Sequence, residues 1–191
     1  RLLLTHAGEL EGAGRDEDSL AFLRDQGEYR NLTLAELPNG DFARTTVRSL
    51  LLSAYHVAVW EALPASRDAT LAAIAQKCLK EARYHLRHAS DWTVRLGDGT
   101  VQSHARTQTA LDELWPYVAE LFAADAVDDA AAAAAVGVPC ATLQPRWHAL
   151  VDPVIDEATL SAPPATPFRS LGKAGVHTEH LGHLLCEMQY L

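Results

Sequence analysis

The sequence is poor in the residues that mark a disulfide-stabilised, redox or membrane-spanning protein. It has three cysteines, Cys78, Cys140 and Cys186, an odd number at wide intervals. No pair has metal-ligand or redox-motif spacing, which excludes a disulfide framework and a cysteine-based zinc site. Reduced, buried thiols are the simple expectation. There is no run of about 18 apolar residues, so no membrane-spanning helix is predicted, and no signal peptide is visible. A cytoplasmic protein is expected. Positive charge is also short, with 16 Lys and Arg against 25 Asp and Glu, a net charge of −9. That balance argues against nucleic acid or an anionic membrane as the main partner. Lys77, Lys80, Arg83 and Arg87 do cluster, but on one predicted helix, and they read as a solvated face. There is no glycine-rich phosphate loop, no Gly-x-Ser-x-Gly elbow and no recognisable catalytic cysteine motif.

Apolar residues are plentiful, at 48% of 191 residues, enough for one domain with a sizeable core. Their spacing is helical almost throughout. Leu2 to Leu10 reads as the tail of a helix ended by Gly12 and Gly14, and Asp16-Glu17-Asp18-Ser19 opens a short helix to Arg24. The segment 27–36 reads as a connector, and Asp41 as an N-cap after the turn Leu37-Pro38-Asn39-Gly40. A long helix is predicted over Phe42–Leu63, where Val47, Leu50, Leu51, Ala54, Ala58 and Val59 recur on one side, until Pro64 stops it. The next runs from about Asp68 to Leu96. Its stripe is Leu71, Ile74, Cys78, Ala82, His85, Ala89, Trp92 and Leu96, and Gly97-Asp98-Gly99 suggests a left-handed cap. Pro116 should kink or split the helix over 102–124. Helical pattern continues over the alanine run 130–135 and over Thr142–Leu160, and the last helix starts near Lys173. Pro163-Pro164-Ala165-Thr166-Pro167 is a rigid loop. Long helices, short connections and no strand pattern predict an all-α bundle, its helices 42–63 and 68–96 antiparallel. Both chain ends read as cut within helices, the larger missing part at the front.

Two polar clusters could carry chemistry, Lys80-Glu81-Ala82-Arg83-Tyr84-His85-Leu86-Arg87-His88 and His177-Thr178-Glu179-His180-Leu181-Gly182-His183. A bundle that holds two irons needs Glu-x-x-His, because that spacing turns both ligands to one helix face. Neither cluster has it: Ala82 stands three before His85, and His180 three before His183. Each has Glu-x-x-x-His instead, Glu81/His85 and Glu179/His183, which is more often an ion pair than a metal site. His177 and His180 have a spacing that zinc sometimes uses, without a convincing third and fourth ligand.

The blocks Lys80–Arg87 with Trp92 and Arg95–Thr100, Gly175–Gly182 with Glu187–Leu191, Asp16–Phe22, and Pro38–Ala43 resemble the C-subunit family (PaaC) of bacterial phenylacetyl-CoA epoxidases. The resemblance covers essentially the whole chain. It implies a single ferritin-like domain over 1–191, a bundle whose front helix or helices are absent and which is cut at the C-terminal end. It further implies a complex in which a catalytic A subunit of the same fold holds two irons and this chain pairs with it. That complex epoxidises the ring of phenylacetyl-CoA with dioxygen, supplied with electrons by a flavin and iron–sulfur reductase subunit. The A subunit carries a glutamate where this chain has Ala82, keeps a histidine at His85, and places an acidic ligand near Ser53. Ser53, Ala82 and His85 are therefore expected to be degenerate metal-site positions. No catalytic residue, metal or cofactor is expected in this chain.

Three readings compete: a non-catalytic partner subunit, a metal-dependent oxidoreductase with its own site, and a helical ligand-binding or regulatory protein. The missing Glu-x-x-His favours the first. On that reading His85 is expected to be buried and hydrogen-bonded, and no metal sits at Ala82, His85, His180 or His183. Tyr55, Trp60, Trp115, Phe122 and Trp147 are large residues some of which should lie at the subunit interface.

Overall fold

The computed structural model describes residues 1–190; Leu191, the end of the C-terminal block, lies outside the described residues. In chain order the helices are α1 (Leu2–Glu11), α2 (Glu17–Phe22), α3 (Thr33–Glu36), α4 (Phe42–Ala62), α5 (Ala69–Gly97), α6 (Val101–Leu114), α7 (Ala126–Ala133), α8 (Cys140–Glu157) and α9 (Glu179–Met188). Short 3-10 turns occupy Gln26–Glu28, Leu63–Ala65, Trp115–Phe122 and Gly172–Ala174. Among the described residues there is no strand, only an isolated antiparallel bridge between Leu171 and Val176. The all-α expectation holds.

The long helices begin where the sequence supplies caps. The Asp41 carboxylate accepts from the amide of Arg44 at 2.9 Å, and Asp68 accepts from that of Leu71 at 2.9 Å. Each satisfies an amide that the first turn leaves without an internal partner. Pro116 has the effect its missing N–H dictates: α6 stops at Leu114 and the chain continues as a 3-10 turn. The connection from α4 to α5 is short, and Phe42 at the start of α4 meets Trp92 late in α5, with ring centroids 5.1 Å apart. The two helices are thus antiparallel.

The core lies where α4, α5, α6 and α8 meet. Val47, Leu51 and Ala54 of α4 pack with Leu111 and Leu114 of α6, Trp147, Val151 and Ile155 of α8, and Leu121 of the 3-10 turn. Each fully buried leucine or valine stabilises the fold by about 1.5–3 kcal/mol before entropy is counted.

Four expectations need correction. The connector 27–36 holds the one-turn helix α3, seated by buried Thr33 and Leu34. Gly97 and Gly99 form no left-handed cap, since the cap residue is Asp98 at φ −91°. Gly97 is needed for space: a Cβ there would stand 2.3 Å from the carbonyl oxygen of Ala158. The last helix starts at Glu179, not Lys173, because Gly175 takes φ +85° and turns the chain into the bridge to Leu171. Of the three thiols only Cys140 is buried; Cys186 is exposed, because Leu181 and Leu185 provide the inner face of α9.

Candidate functional site

α4 and α5 carry the positions at which the family resemblance implies a lost metal site. Ser53 and Ala82 are both buried. His85 is not with them. Its side chain is 55% exposed, and Nε2 lies 3.6 Å from Oε1 of Glu81 one turn earlier. The expectation of a buried, hydrogen-bonded His85 is therefore wrong. The inner line of α5 runs through Ala82, Leu86, Ala89 and Thr93, so a residue three after Ala82 falls beside that line. His85 instead joins a surface row in which Tyr84 stacks on His88 and Arg87 lies over the Tyr84 ring. Lys77, Lys80, Arg83 and Arg87 are exposed, as a solvated face requires, and Arg83 reaches Glu61 at 2.9 Å. An alanine, a buried serine and an outward histidine do not fit two irons, because only one of the three has a strong metal donor. Among the described residues no three His, Cys, Asp or Glu side chains form a group that could hold a metal ion.

The second cluster is divided by the start of α9. His177 precedes the helix and is buried; His180 and His183 lie on it. His177 Nε2 is 3.0 Å from the carbonyl oxygen of Tyr29, and Nδ1 is 3.5 Å from Oε1 of Glu36. Burial pushes the Glu36 carboxyl above its ordinary range, against the attraction of His177. His180 and His183 line a cleft of about 280 Å3 with Glu36, Asn39, Arg48 and Glu187, and His177 is not part of that lining. The His177/His180 spacing therefore does not converge on one point.

A third polar centre has no counterpart in the sequence patterns. Glu120, 4% exposed, accepts from the amide of Thr33 at 2.8 Å, the hydroxyl of Ser170 at 2.8 Å and the amide of Lys173 at 3.1 Å. It ties α3, the 3-10 turn after α6 and the C-terminal loop at one carboxylate. Lys173 extends the tie, donating from Nζ to Asp128 at 2.5 Å and to the carbonyl of Ala123 at 2.8 Å. Neither Glu36 nor Glu120 carries a local signal, since each is a lone glutamate whose partners lie far along the chain.

Other clefts lie elsewhere among the described residues. One of about 440 Å3 between α4 and α6 is lined by Asp41, Arg44, Arg106, Thr109 and Glu113, and Arg44 already pairs with Glu113. One of about 320 Å3 lies under the proline loop, lined by Trp115, Phe122, Gln144, His148, Pro163 and Arg169. Of the five large residues, some of which are expected at an interface, four pack on one another within the bundle. Trp147 is 0% exposed and its Nε1 donates to the carbonyl of Leu51 at 3.0 Å, so it is a core residue. Trp115 and Phe122 pack on its ring at 5.7 Å each, and Tyr55 packs on Phe122 at 6.2 Å. Trp60 is half-buried.

The fold and these centres define an all-helical bundle whose elements are tied by buried carboxylates. The chain belongs to the family of phenylacetic acid catabolic proteins (PaaA_PaaC), which matches residues 1–191. It is similar to the C subunit of the 1,2-phenylacetyl-CoA epoxidase of Escherichia coli (strain K12), with 49% identity over 191 residues, 100% of this chain and 77% of the relative. Membership bears out the family resemblance and the ferritin-like bundle, and it places the chain in phenylacetate catabolism. No helix among the described residues is long and apolar enough to cross a membrane.

Proposed function

We propose that this chain is the structural, non-catalytic subunit of a phenylacetyl-CoA ring-epoxidising monooxygenase. It pairs with a sister chain of the same fold that holds two irons, and it keeps that chain folded and active. A reductase subunit of the same complex delivers the electrons. The observation that carries this reading is the 49% identity, over the whole chain, to the C subunit of such an epoxidase. Ala82 at an expected ligand position supports it: a methyl group donates no electron pair, and exposed His85 alone cannot hold two irons. A permanent pairing should bury well over about 1,600 Å².

The test is reconstitution. The sister chain is expressed alone and together with this chain, and phenylacetyl-CoA-dependent oxygen uptake is followed with the reductase present. The sister chain alone should be poorly soluble or inactive, and this chain should restore it. Full turnover by the sister chain alone would refute an obligatory structural subunit.

A further inference from the structure

α7 carries no buried residue, and Val127 on it is 76% exposed. At eight residues it is too short to persist on its own propensity, so its tethers hold it in place. Its C-terminal end is tied to the turn before α5. There the Ala135 carbonyl accepts from the Arg67 amide at 2.9 Å, and the Val136 carbonyl from the Ser66 hydroxyl at 2.8 Å. Within the helix, Asp128 is tied across the fold by the Lys173 ammonium at 2.5 Å. Lys173 is itself a fixed post. Its amide donates to the buried Glu120 carboxylate at 3.1 Å, and its Nζ also donates to the Ala123 carbonyl at 2.8 Å.

Strain lies at one end of α7 and a buried thiol beneath it. Ala135, just after the helix, has φ +57°, a left-handed conformation that its Cβ disfavours and that glycine takes freely. Cys140, which opens α8, is 4% exposed, and Asp128 and Lys173 both stand against its thiol. Burial pushes the thiol above its ordinary range; Lys173 pulls against that, and Asp128 adds to it. The Asp128–Lys173 pair thus both holds α7 and roofs Cys140.

We propose that α7 is a hinged lid over the Cys140 thiol, latched by the Lys173–Asp128 ion pair and opposed by the strained Ala135, and that it opens while the core of α4, α5, α6 and α8 stays folded. Opening breaks the ion pair, and the helix, having no buried side chain, gives up little apolar contact. The Lys173 and Asp128 side chains are 20% and 28% exposed, so dissolved salt weakens the latch. Opening turns an inert thiol into an accessible one.

Thiol labelling of the whole chain tests this. With Cys78→Ser and Cys186→Ser, Cys140 is the remaining thiol, and its reaction with an aromatic disulfide reagent reads the opening. The reaction should proceed without denaturant, at a rate nearly independent of it at low concentration, and should speed up with added salt. Lys173→Met should speed it about tenfold, for the loss of a hydrogen bond between charged groups, and should abolish the salt response. Ala135→Gly, which relieves the strain, should slow it about threefold. An unchanged rate in Lys173→Met, or a rate that follows global unfolding in denaturant, overturns the proposal. Should Lys173→Met fail to fold, the chain that keeps Lys173 decides, and a rate indifferent to salt overturns the latch.

Discussion

Trp147 shows that the size of a side chain leaves its place open. An indole is large and amphipathic, which suits an interface, yet here its N–H reaches the Leu51 carbonyl and its ring is enclosed by Trp115 and Phe122. The Leu51 carbonyl belongs to α4 and keeps its helical partner if the indole is lost. Trp147→Phe should therefore cost about 1 kcal/mol for the lost hydrogen bond, plus a modest further loss from the small cavity. Trp147→Ala should cost about 3–5 kcal/mol, because most of the ring volume becomes empty. Denaturant unfolding of the two variants checks both; equal losses would show that the cavity does not set the cost. Glu120 acts in the opposite sense, as a polar residue whose value lies wholly in its partners. Glu120→Ala strands the amides of Thr33 and Lys173 and should loosen the C-terminal loop.

At the scale of elements, the contacts between helices depend on small groups and single ties. α5 crosses the end of α8 at Gly97, where a Cβ would lie 2.3 Å from the Ala158 carbonyl oxygen and 2.8 Å from its Cβ. Gly97→Ala should destabilise the bundle by about 1–3 kcal/mol, although alanine is the better helix former. A thermal melt at or above that of the native chain would contradict the close crossing. α1 is held to the start of α5 by His6, whose Nε2 lies 2.8 Å from Oδ2 of Asp68. The Asp68 hydrogen bond raises His6 above the ordinary imidazole value, and His6 lowers Asp68 below the ordinary carboxylate range. The two signs bracket a window. The His6 contribution is complete below its unfolded value and fades as pH rises through its raised one. The Asp68 contribution is complete above its unfolded value and fades as pH falls through its lowered one. Protection of α1 against hydrogen exchange should thus peak at mildly acidic pH, between about 4 and 6.5. His6→Ala should remove the fall above that window.

For the whole molecule, the consequence concerns metal. The proposed reading puts the iron in a sister chain and none in this one, and among the described residues no group of three His, Cys, Asp or Glu could hold a metal ion. Chain purified with its sister subunit and then separated should retain less than one iron per chain by elemental analysis. Its Ala82→Glu variant should fail to acquire a two-iron centre, because His85 faces away from the buried face on which Ala82 lies. Stoichiometric iron in the native chain, with an absorption or Mössbauer signature of a coupled pair, would sink the non-catalytic reading.

The sequence by itself determined the class and most helix limits. Those depend on short-range chemistry: Asp41 and Asp68 cap the helices they precede, Pro116 breaks the helix it interrupts, and apolar residues three and four apart define the buried stripe. The family blocks were legible for the same reason, being contiguous in the chain. Only the tertiary structure decided which side of α5 faces inward at His85, that Gly97 serves a crossing rather than a cap, and that Trp147 is core. It alone brought Glu36 to His177 and Glu120 to Thr33, Ser170 and Lys173. Those partners lie scores of residues apart, and no local periodicity encodes them. Their energy comes from burial, which exists only after the helices have packed.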